Sequence, residues 1–319
     1  ESLRPRPAAY GPWLAKAPAG TTTDDTRHKV VLMRALESLR SKGQKLTSID
    51  SQGLAQAYLD YEVAGEDEIR NQLKKHVEEG FREYRYAARW ILGQREPSVA
   101  KPVERLWAGI DNCSGQMMLP PLACMYPGKP GEAYRKAFQI DFIDAPGARD
   151  MAAAWLAGLA AVLGEKETDP ARQRWSVLWD AMRSTDPFEF SKTPFAGRPL
   201  HRWMDLAMDV AERANGRPWR LFELLETDGR PLYWWDAHYT LLVPISILVF
   251  CQYKPLAAMR LTMDFGHDSD SYLQTLGCMV GAVYGEGIFD KAMRSAIDAD
   301  MARQYGASIE SWMAVFSGA

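Results

Sequence analysis

The sequence has little of what marks several classes of protein. It holds 4 cysteines among 319 residues, and their spacing fits neither a zinc site nor a CxxC redox pair. The longest apolar runs, residues 151–163 and 241–251, are shorter than the roughly 20 residues that a membrane span needs. The formal net charge is −3 at pH 7, which gives no basic excess for non-specific nucleic-acid binding. We therefore expect a monomer with no nucleic-acid partner and no membrane segment.

The start of the chain carries no targeting signal. Residues 1–5 are polar, so no signal peptide opens the sequence, although a trimmed start would look the same. A cytoplasmic location is favoured, and an extracytoplasmic one stays open. The composition, 47% hydrophobic and 25% charged, is that of an ordinary globular protein and excludes a disordered or collagen-like chain.

Helical periodicity dominates what is present. Apolar residues recur at helical spacing over residues 30–39, residues 150–163 are rich in alanine, and residues 272–284 form a helix of small residues. The other predicted helices span residues 54–63, 69–91, 132–142, 172–182, 200–214 and 256–263. Residues 1–20 contain several prolines and are predicted to be irregular. With no alternating pattern for hairpins and no fixed-period repeat, the sequence predicts a single all-α domain over residues 1–319.

Two acidic clusters stand where a loop leads into a helix: Thr23-Asp24-Asp25-Thr26 and Asp268-Ser269-Asp270-Ser271. Either cluster alone fits helix capping, because Ser, Thr and Asp are preferred caps and acids favour the positive end of the helix dipole. Together they supply more carboxylates than capping needs, and crowded carboxylates repel one another unless a cation or a proton intervenes. Mg²⁺ and Mn²⁺ prefer oxygen ligands. The clusters therefore suit a binuclear metal site.

Three glycines follow the second cluster at intervals of four: Gly277, Gly281 and Gly285. Glycine destabilises a helix relative to alanine. A stripe of glycines on one helix face therefore predicts that a neighbouring helix packs closely against it.

These motifs resemble those of the ADP-ribosylglycohydrolase family. Residues 20–26, Gly-Thr-Thr-Thr-Asp-Asp-Thr, look like the family's N-terminal Thr-Asp-Asp motif. Residues 266–271, Gly-His-Asp-Ser-Asp-Ser, look like its C-terminal Gly-Gly-Asp-Thr-Asp-Thr motif, and the small-residue helix follows them as in the family. Residues 111–118 stand where the family has a Gly/Asn-rich loop. The likeness runs from about Glu1 to Phe289.

The resemblance implies an all-α fold, a single compact multi-helix domain whose cleft binds two divalent cations, Mg²⁺ or Mn²⁺. The ligands that it implies are Thr23, Asp24, Asp25, Asp268, Asp270 and Ser271, with Ser271 in place of the usual threonine. Asp25 or Asp270 would act as general base or orient the attacking water. Glu1 would correspond to the family's gate or acid–base glutamate, so that the chain would begin just after the family's opening helix, which is absent from it.

Substrate contacts are implied in the middle loop and near the second acidic cluster. They are Cys113, Ser114, Gly115, Gln116, Met117, His267, Trp234 and Trp235. His267 replaces the second glycine of the family motif and would narrow the pocket. Trp234 or Trp235 would stack on an adenine or a sugar ring, with core packing as the alternative. Asp144 lies in the stretch where the family carries a histidine.

The implied function is metal-dependent hydrolysis of the glycosidic bond of an ADP-ribosyl group, on a modified protein side chain or a small ADP-ribose derivative. The departures at His267 and Asp144 leave a variant open, in which the same site hydrolyses another N- or O-glycoside, such as a nucleoside or furanoside. A non-catalytic ADP-ribose-binding pseudo-enzyme is a third hypothesis. A fourth is that the acidic clusters only cap their helices.

Overall fold

The structure is a computed structural model that describes residues 22–62, 78, 80–106, 111–192 and 197–316. The predictions for Glu1 and for the irregular segment 1–20 lie outside the described residues, as does much of the helix predicted at 69–91. In the described part, no strand is present and the chain is helical. The all-α prediction is therefore confirmed. No helix in these ranges is both long enough and apolar enough to cross a membrane.

Fifteen α-helices follow one another in the described ranges. They are α1 (Asp24–Ser41), α2 (Ser51–Asp60), α3 (Arg82–Ile91), α4 (Val103–Leu106), α5 (Ser114–Met118), α6 (Pro130–Ile140), α7 (Pro146–Leu163), α8 (Ala171–Ser184), α9 (Pro199–Arg213), α10 (Pro218–Asp228), α11 (Tyr239–Phe250), α12 (Pro255–Phe265), α13 (Ser269–Tyr284), α14 (Lys291–Tyr305) and α15 (Ile309–Phe316). Short 3₁₀ helices lie at Leu46–Ser48, Pro120–Met125, Phe190–Lys192 and Glu286–Ile288.

The described residues form two compact units. The first unit contains residues 111–138, 144–192 and 197–288, and the second contains residues 22–62, 78, 80–106, 139–143 and 289–316. A compact unit is not by itself an independently folding domain, so the single-domain prediction stays a prediction.

In the first unit, the alanine-rich helix α7 is buried along almost its whole length and packs on α8. Small side chains let the two helices approach closely: a Cβ added to Gly158 would lie 2.9 Å from the carbonyl oxygen of Leu178. The apolar helix α11 packs on α9, α12 and α13. It contains Pro244, which cannot donate a helix hydrogen bond. Burial of the surrounding leucine, isoleucine and valine side chains offsets that loss.

A buried ion pair connects α7 to the start of α9 in the same unit. The Arg198 guanidinium donates through Nε to Asp150 Oδ2 at 2.8 Å, and the Tyr134 hydroxyl donates to the same carboxylate. Burial and the charge of Asp150 raise the pKa of Tyr134 above its usual range. Removal of Arg198 alone would leave a buried, uncompensated carboxylate, which typically costs about 3–5 kcal/mol.

The second unit packs α1 against α2 and α15, and α2 against α3. His28 of α1 lies in an aromatic cage, with its ring centroid 4.4 Å from that of Tyr84 and 4.7 Å from that of Phe81. Its Nδ1 is hydrogen-bonded to the Tyr58 hydroxyl at 2.8 Å. Burial lowers the pKa of His28 to about 4. The ring is therefore neutral at pH 7 and serves as part of the core.

The glycine stripe on α13 does not pack as predicted. Among the described residues, a Cβ at Gly281 would meet no atom within 4 Å, and one at Gly277 would meet the end of Met259 at 3.8 Å. Gly285 has φ +75 where α13 ends, a conformation that glycine adopts without strain. Close helix approach at this stripe is therefore a wrong prediction for the described part of the chain.

Candidate active site

Two helices start with an aspartate that caps them. Asp50 precedes α2, and its side chain accepts a hydrogen bond from the Gly53 amide at 2.8 Å. Asp290 precedes α14 and accepts from the amides of Ala292 at 2.7 Å and Met293 at 3.2 Å. Capping satisfies amides that the first helical turn leaves without a partner. These two carboxylates therefore have a structural role.

The acidic start of α1 is arranged differently. Thr23 is the N-cap residue, but its side chain makes no capping hydrogen bond. Its hydroxyl points instead to Asp25, with Oγ1 3.4 Å from Oδ2. The Asp25 side chain is buried, and Asp24 is exposed. The N-cap side chain of α1 therefore faces a buried carboxylate and makes no cap for its own helix.

Helix α14 holds Thr22, the residue directly before the acidic start of α1. The Thr22 hydroxyl donates to Gln304 Oε1 at 2.9 Å and contacts the Tyr305 hydroxyl, and both partners belong to α14. Arg27 of α1 donates to the Thr22 carbonyl at 3.2 Å. Asp300 in turn accepts from Gln304. The N-terminal acidic motif is therefore positioned by residues that lie beyond Phe289, where the motif likeness in the sequence ends.

The start of α13 also lacks a side-chain cap. Asp268 is the N-cap residue, and its side chain makes no capping hydrogen bond. Asp270 lies in the first turn and is half-buried, whereas Ser271 is buried with its Oγ 3.8 Å from Cys113 Sγ. Burial and the charge of Asp268 raise the pKa of Tyr272 well above its usual range. This helix start therefore also presents a group of hydroxyl and carboxylate oxygens.

Residues 111–118, which the resemblance implies to be a loop, contain helix α5, and hydrogen bonds between side chains and backbone hold this segment. Asn112 Oδ1 accepts from the Ser114 amide at 2.9 Å, and the Gly115 amide donates to Asp144 Oδ2 at 2.7 Å. Gln116 Nε2 donates to the Ala237 carbonyl at 2.7 Å. The predicted substrate residues of this segment are all buried, namely Cys113, Ser114, Gly115, Gln116 and Met117. Their contact with substrate stays a prediction.

His267 and Trp234 are brought together in the first unit. The two rings stack with centroids 3.6 Å apart and an interplanar angle of 14°. His267 Nε2 lies 2.9 Å from Glu226 Oε1, and the Tyr272 hydroxyl donates to the Trp234 carbonyl at 2.6 Å. Neither Glu226 nor Tyr272 was a predicted site residue. The sequence carries no signal for these contacts, since Glu226 lies 41 positions before His267.

Trp235 stacks with Tyr233, at a centroid distance of 5.1 Å and an angle of 15°. Both rings are exposed, by 38% and 37% respectively. Asp236 holds the loop by accepting hydrogen bonds from the amides of Leu232 and Tyr233, and its backbone forms a bridge with Asn112. Core packing therefore does not account for Trp235.

The described residues define an all-helical protein in which the starts of α1 and α13 each present a group of carboxylate and hydroxyl oxygens. The family model described as ADP-ribosylglycohydrolase matches residues 1–314, and the chain belongs to this family. The match extends past Phe289 and includes α14. No curated protein matches the chain. Membership of this family supports a hydrolase that acts on glycosidic bonds of ADP-ribose.

Proposed function

We propose that the protein hydrolyses the glycosidic bond between an ADP-ribosyl group and a modified protein side chain or a small leaving group, with the help of two divalent cations. The observation that carries the proposal is the contrast between helix starts. Thr23 and Asp268 leave their side chains out of capping, although Asp50 and Asp290 show that this chain caps helices with aspartates. Helix capping by the N-cap side chain therefore does not account for these two residues, and a role at the reacting bond is what we propose for the motifs that contain them.

The donor set suits hard cations such as Mg²⁺ or Mn²⁺, because carboxylate and hydroxyl oxygens are their preferred protein ligands. The buried position of Asp25 beside the Thr23 hydroxyl supports this fit, since a carboxylate in such surroundings is stabilised by a nearby cation. The proposed ligands are Thr23, Asp24, Asp25, Asp268, Asp270 and Ser271. Bound cations would lower the pKa of a water and stabilise developing negative charge.

The protein's own residues supply proton transfer and orientation. Asp25 or Asp270 accepts a proton from the attacking water, whose oxygen bonds to the anomeric carbon as the C–N or C–O bond breaks. The leaving group takes up a proton. We assign the acid–base role of the family's glutamate to Glu1, which lies outside the described residues. The proposed substrate contacts are Cys113, Ser114, Gly115, Gln116, Met117, His267, Trp234 and Trp235.

A second candidate substrate class is another N- or O-glycoside, such as a nucleoside or furanoside. The observation that favours it is His267, which puts an imidazole stacked on Trp234 where the family motif has a glycine. A ring at this position takes space directly before Asp268. The same hydrolytic chemistry would then act on a different aglycone.

Calorimetric titration with ADP-ribose, once with Mg²⁺ and once in chelator, tests the proposal, followed by turnover of ADP-ribosylated peptides and simple ribosides. We expect ADP-ribose to bind only with metal, and Asp25→Asn to abolish turnover while the matched control Asp290→Asn retains it. Turnover of ribosides without ADP-ribose binding would favour the second class. No metal-dependent hydrolysis of any glycoside would overturn both.

A further inference from the structure

Trp234 is an aromatic side chain that the fold holds in place without burying it. The residue is 37% exposed, although exposure of so large an apolar side chain opposes folding, and the Tyr239 ring lies near it at a centroid distance of 5.8 Å. The Tyr272 hydroxyl fixes its backbone at 2.6 Å, and His267 covers the ring at a centroid distance of 3.6 Å. Packing of Trp234 therefore explains its position but leaves its exposed surface without a structural role.

His267 is held in a backbone conformation that favours glycine. Its φ is +55, in the left-handed region that residues with a Cβ adopt at a cost. Two contacts compensate: the stack on Trp234 and the hydrogen bond between Nε2 and Glu226 Oε1 at 2.9 Å. The side chains of His267 and Glu226 are only 22% and 33% exposed. His267 thus fixes the plane of the Trp234 ring, and Glu226 fixes the plane of His267.

The position of this stack relates it to one part of the substrate. His267 directly precedes Asp268, and consecutive Cα atoms are about 3.8 Å apart. The Trp234 ring therefore lies beside the loop that carries Asp268, Asp270 and Ser271, the proposed ligands at the reacting carbon. The group attached to that carbon is the leaving group, whereas a pyrophosphate and a second ribose separate the adenine from it.

We propose that Trp234 forms a leaving-group subsite that selects substrates whose leaving group is a planar aromatic or heteroaromatic ring. Offset stacking of such a ring on an exposed indole is favourable beyond the apolar area that it buries. His267 and Glu226 are positioning residues that act through Trp234. This inference rests on the proposed glycosidic hydrolysis and adds the class of leaving group to it.

Two matched ribosides test the subsite in turnover, one with a 4-nitrophenyl leaving group and one with a methyl leaving group. Trp234→Ala is expected to raise KM about tenfold for the aromatic riboside and less than twofold for the methyl riboside. Trp234→Phe should restore most of the aromatic preference. His267→Gly should raise KM for the aromatic riboside more than for the methyl riboside, and glycine accepts φ +55 without loss of folding.

A binding measurement avoids dependence on turnover. Calorimetry with a phenyl C-riboside and a methyl C-riboside, neither of which can be hydrolysed, should show that Trp234→Ala weakens only the phenyl compound. The matched control is Trp219→Ala, because Trp219 is a 59% exposed tryptophan in the first turn of α10 and is not among the proposed site residues. Trp219→Ala should leave both affinities unchanged.

The outcomes separate the two proposals. Equal effects of Trp234→Ala on the aromatic and methyl compounds, in KM and in affinity, would overturn the subsite while leaving the hydrolytic function intact. Failure of the wild-type protein to bind the phenyl C-riboside would also overturn the subsite. Failure to hydrolyse any riboside or ADP-ribosyl compound with metal present would overturn the proposed function itself.

Discussion

Helices α2 and α14 begin with aspartates whose side chains cap them, whereas the side chains of Thr23 and Asp268 leave α1 and α13 uncapped. The residue types at all four starts are good caps, so composition does not separate them. The hydrogen-bond partners separate the four helix starts. Asp50 and Asp290 each accept a hydrogen bond from an amide of their own helix. The Thr23 hydroxyl is directed to Asp25 instead. Residues of similar capping preference therefore make a cap at α2 and α14 and make none at the N-cap positions of α1 and α13.

The two uncapped starts are held by different means. Polar contacts from Gln304 and Tyr305 anchor Thr22 before α1. Aromatic contacts dominate before α13, where His267 stacks on Trp234. In the second unit, polar side chains therefore hold the residue before the acidic motif of α1. In the first unit, an aromatic stack holds the residue before the acidic motif of α13.

The largest expected difference between the two kinds of helix start is in turnover by variants of their aspartates. Asp25→Asn and Asp270→Asn should each lower kcat about 10²- to 10⁴-fold, because removal of a general base or a metal ligand removes proton transfer and orientation. Each replacement keeps the size and shape of the side chain, so we expect the free energy of unfolding to change by less than about 1 kcal/mol. Steady-state kinetics and denaturant unfolding measure both. Equal turnover by Asp25→Asn and the capping variant Asp290→Asn would break the comparison.

The next effect concerns the aromatic cage behind α1 and depends on pH. Burial lowers the pKa of His28 from 6.5 to about 4, so the folded protein binds this proton less readily than the unfolded chain does. The stability contribution of neutral His28 is complete above about pH 6.5. It decreases as the pH falls toward 4, by about 3 kcal/mol in all. Denaturant unfolding at several pH values checks this.

His28→Gln should flatten the stability curve between pH 6.5 and 4. The control is the wild-type protein, unfolded over the same pH range under the same conditions. A pH dependence that persists unchanged in His28→Gln would contradict the assignment.

Binding of a divalent cation by the proposed ligands at the starts of α1 and α13 should raise the free energy of unfolding. At a free Mn²⁺ concentration 100 times Kd, the free energy of unfolding should rise by about 2.7 kcal/mol for one site. Asp268→Asn should reduce this rise, whereas Asp50→Asn should preserve it. Thermal unfolding with Mn²⁺ and with chelator measures the difference. A rise of the same size in Asp268→Asn would show that Mn²⁺ binds elsewhere.

The smallest effect is the loss of a cap. Asp290→Ala should lower the free energy of unfolding by about 1 kcal/mol, because the amides of Ala292 and Met293 lose their acceptor. Asp268→Ala should cause no loss of this origin, since its side chain caps nothing. Urea unfolding of the two variants side by side compares them. Equal losses would contradict the distinction between capping and non-capping starts.

Helices with an apolar period were predicted well from the sequence. The predicted spans 172–182 and 200–214 correspond to α8 and α9, whose bounds differ from them by only one or two residues. Helix α14 was missed, because among its buried residues are polar ones, Asp300 and Gln304, which give no apolar period. Helix α10 is not among the predicted spans either, although Pro218 at its first turn is a helix-start signal.

The sequence predicted which motifs contribute to the candidate site, but it did not predict the contacts that their side chains make. The acidic clusters and their position at helix starts follow from local sequence, as do the helices behind them. Whether a carboxylate caps its helix depends on side-chain rotamers, which a motif does not determine. Glu226, Trp234 and His267 meet only through packing of distant segments, so no local pattern predicts their contacts.

The anchoring of Thr22 by α14 has a consequence for synthesis on the ribosome. The contacting residues Thr22 and Tyr305 are 283 positions apart in the chain. At ordinary elongation rates of about 5–20 residues per second, the nascent chain waits on the order of tens of seconds between making one and the other. During that interval the first acidic motif is translated but not yet held by α14. A nascent chain stalled before residue 304 should therefore lack a formed α1 start, and hydrolytic activity should appear only once α14 has emerged.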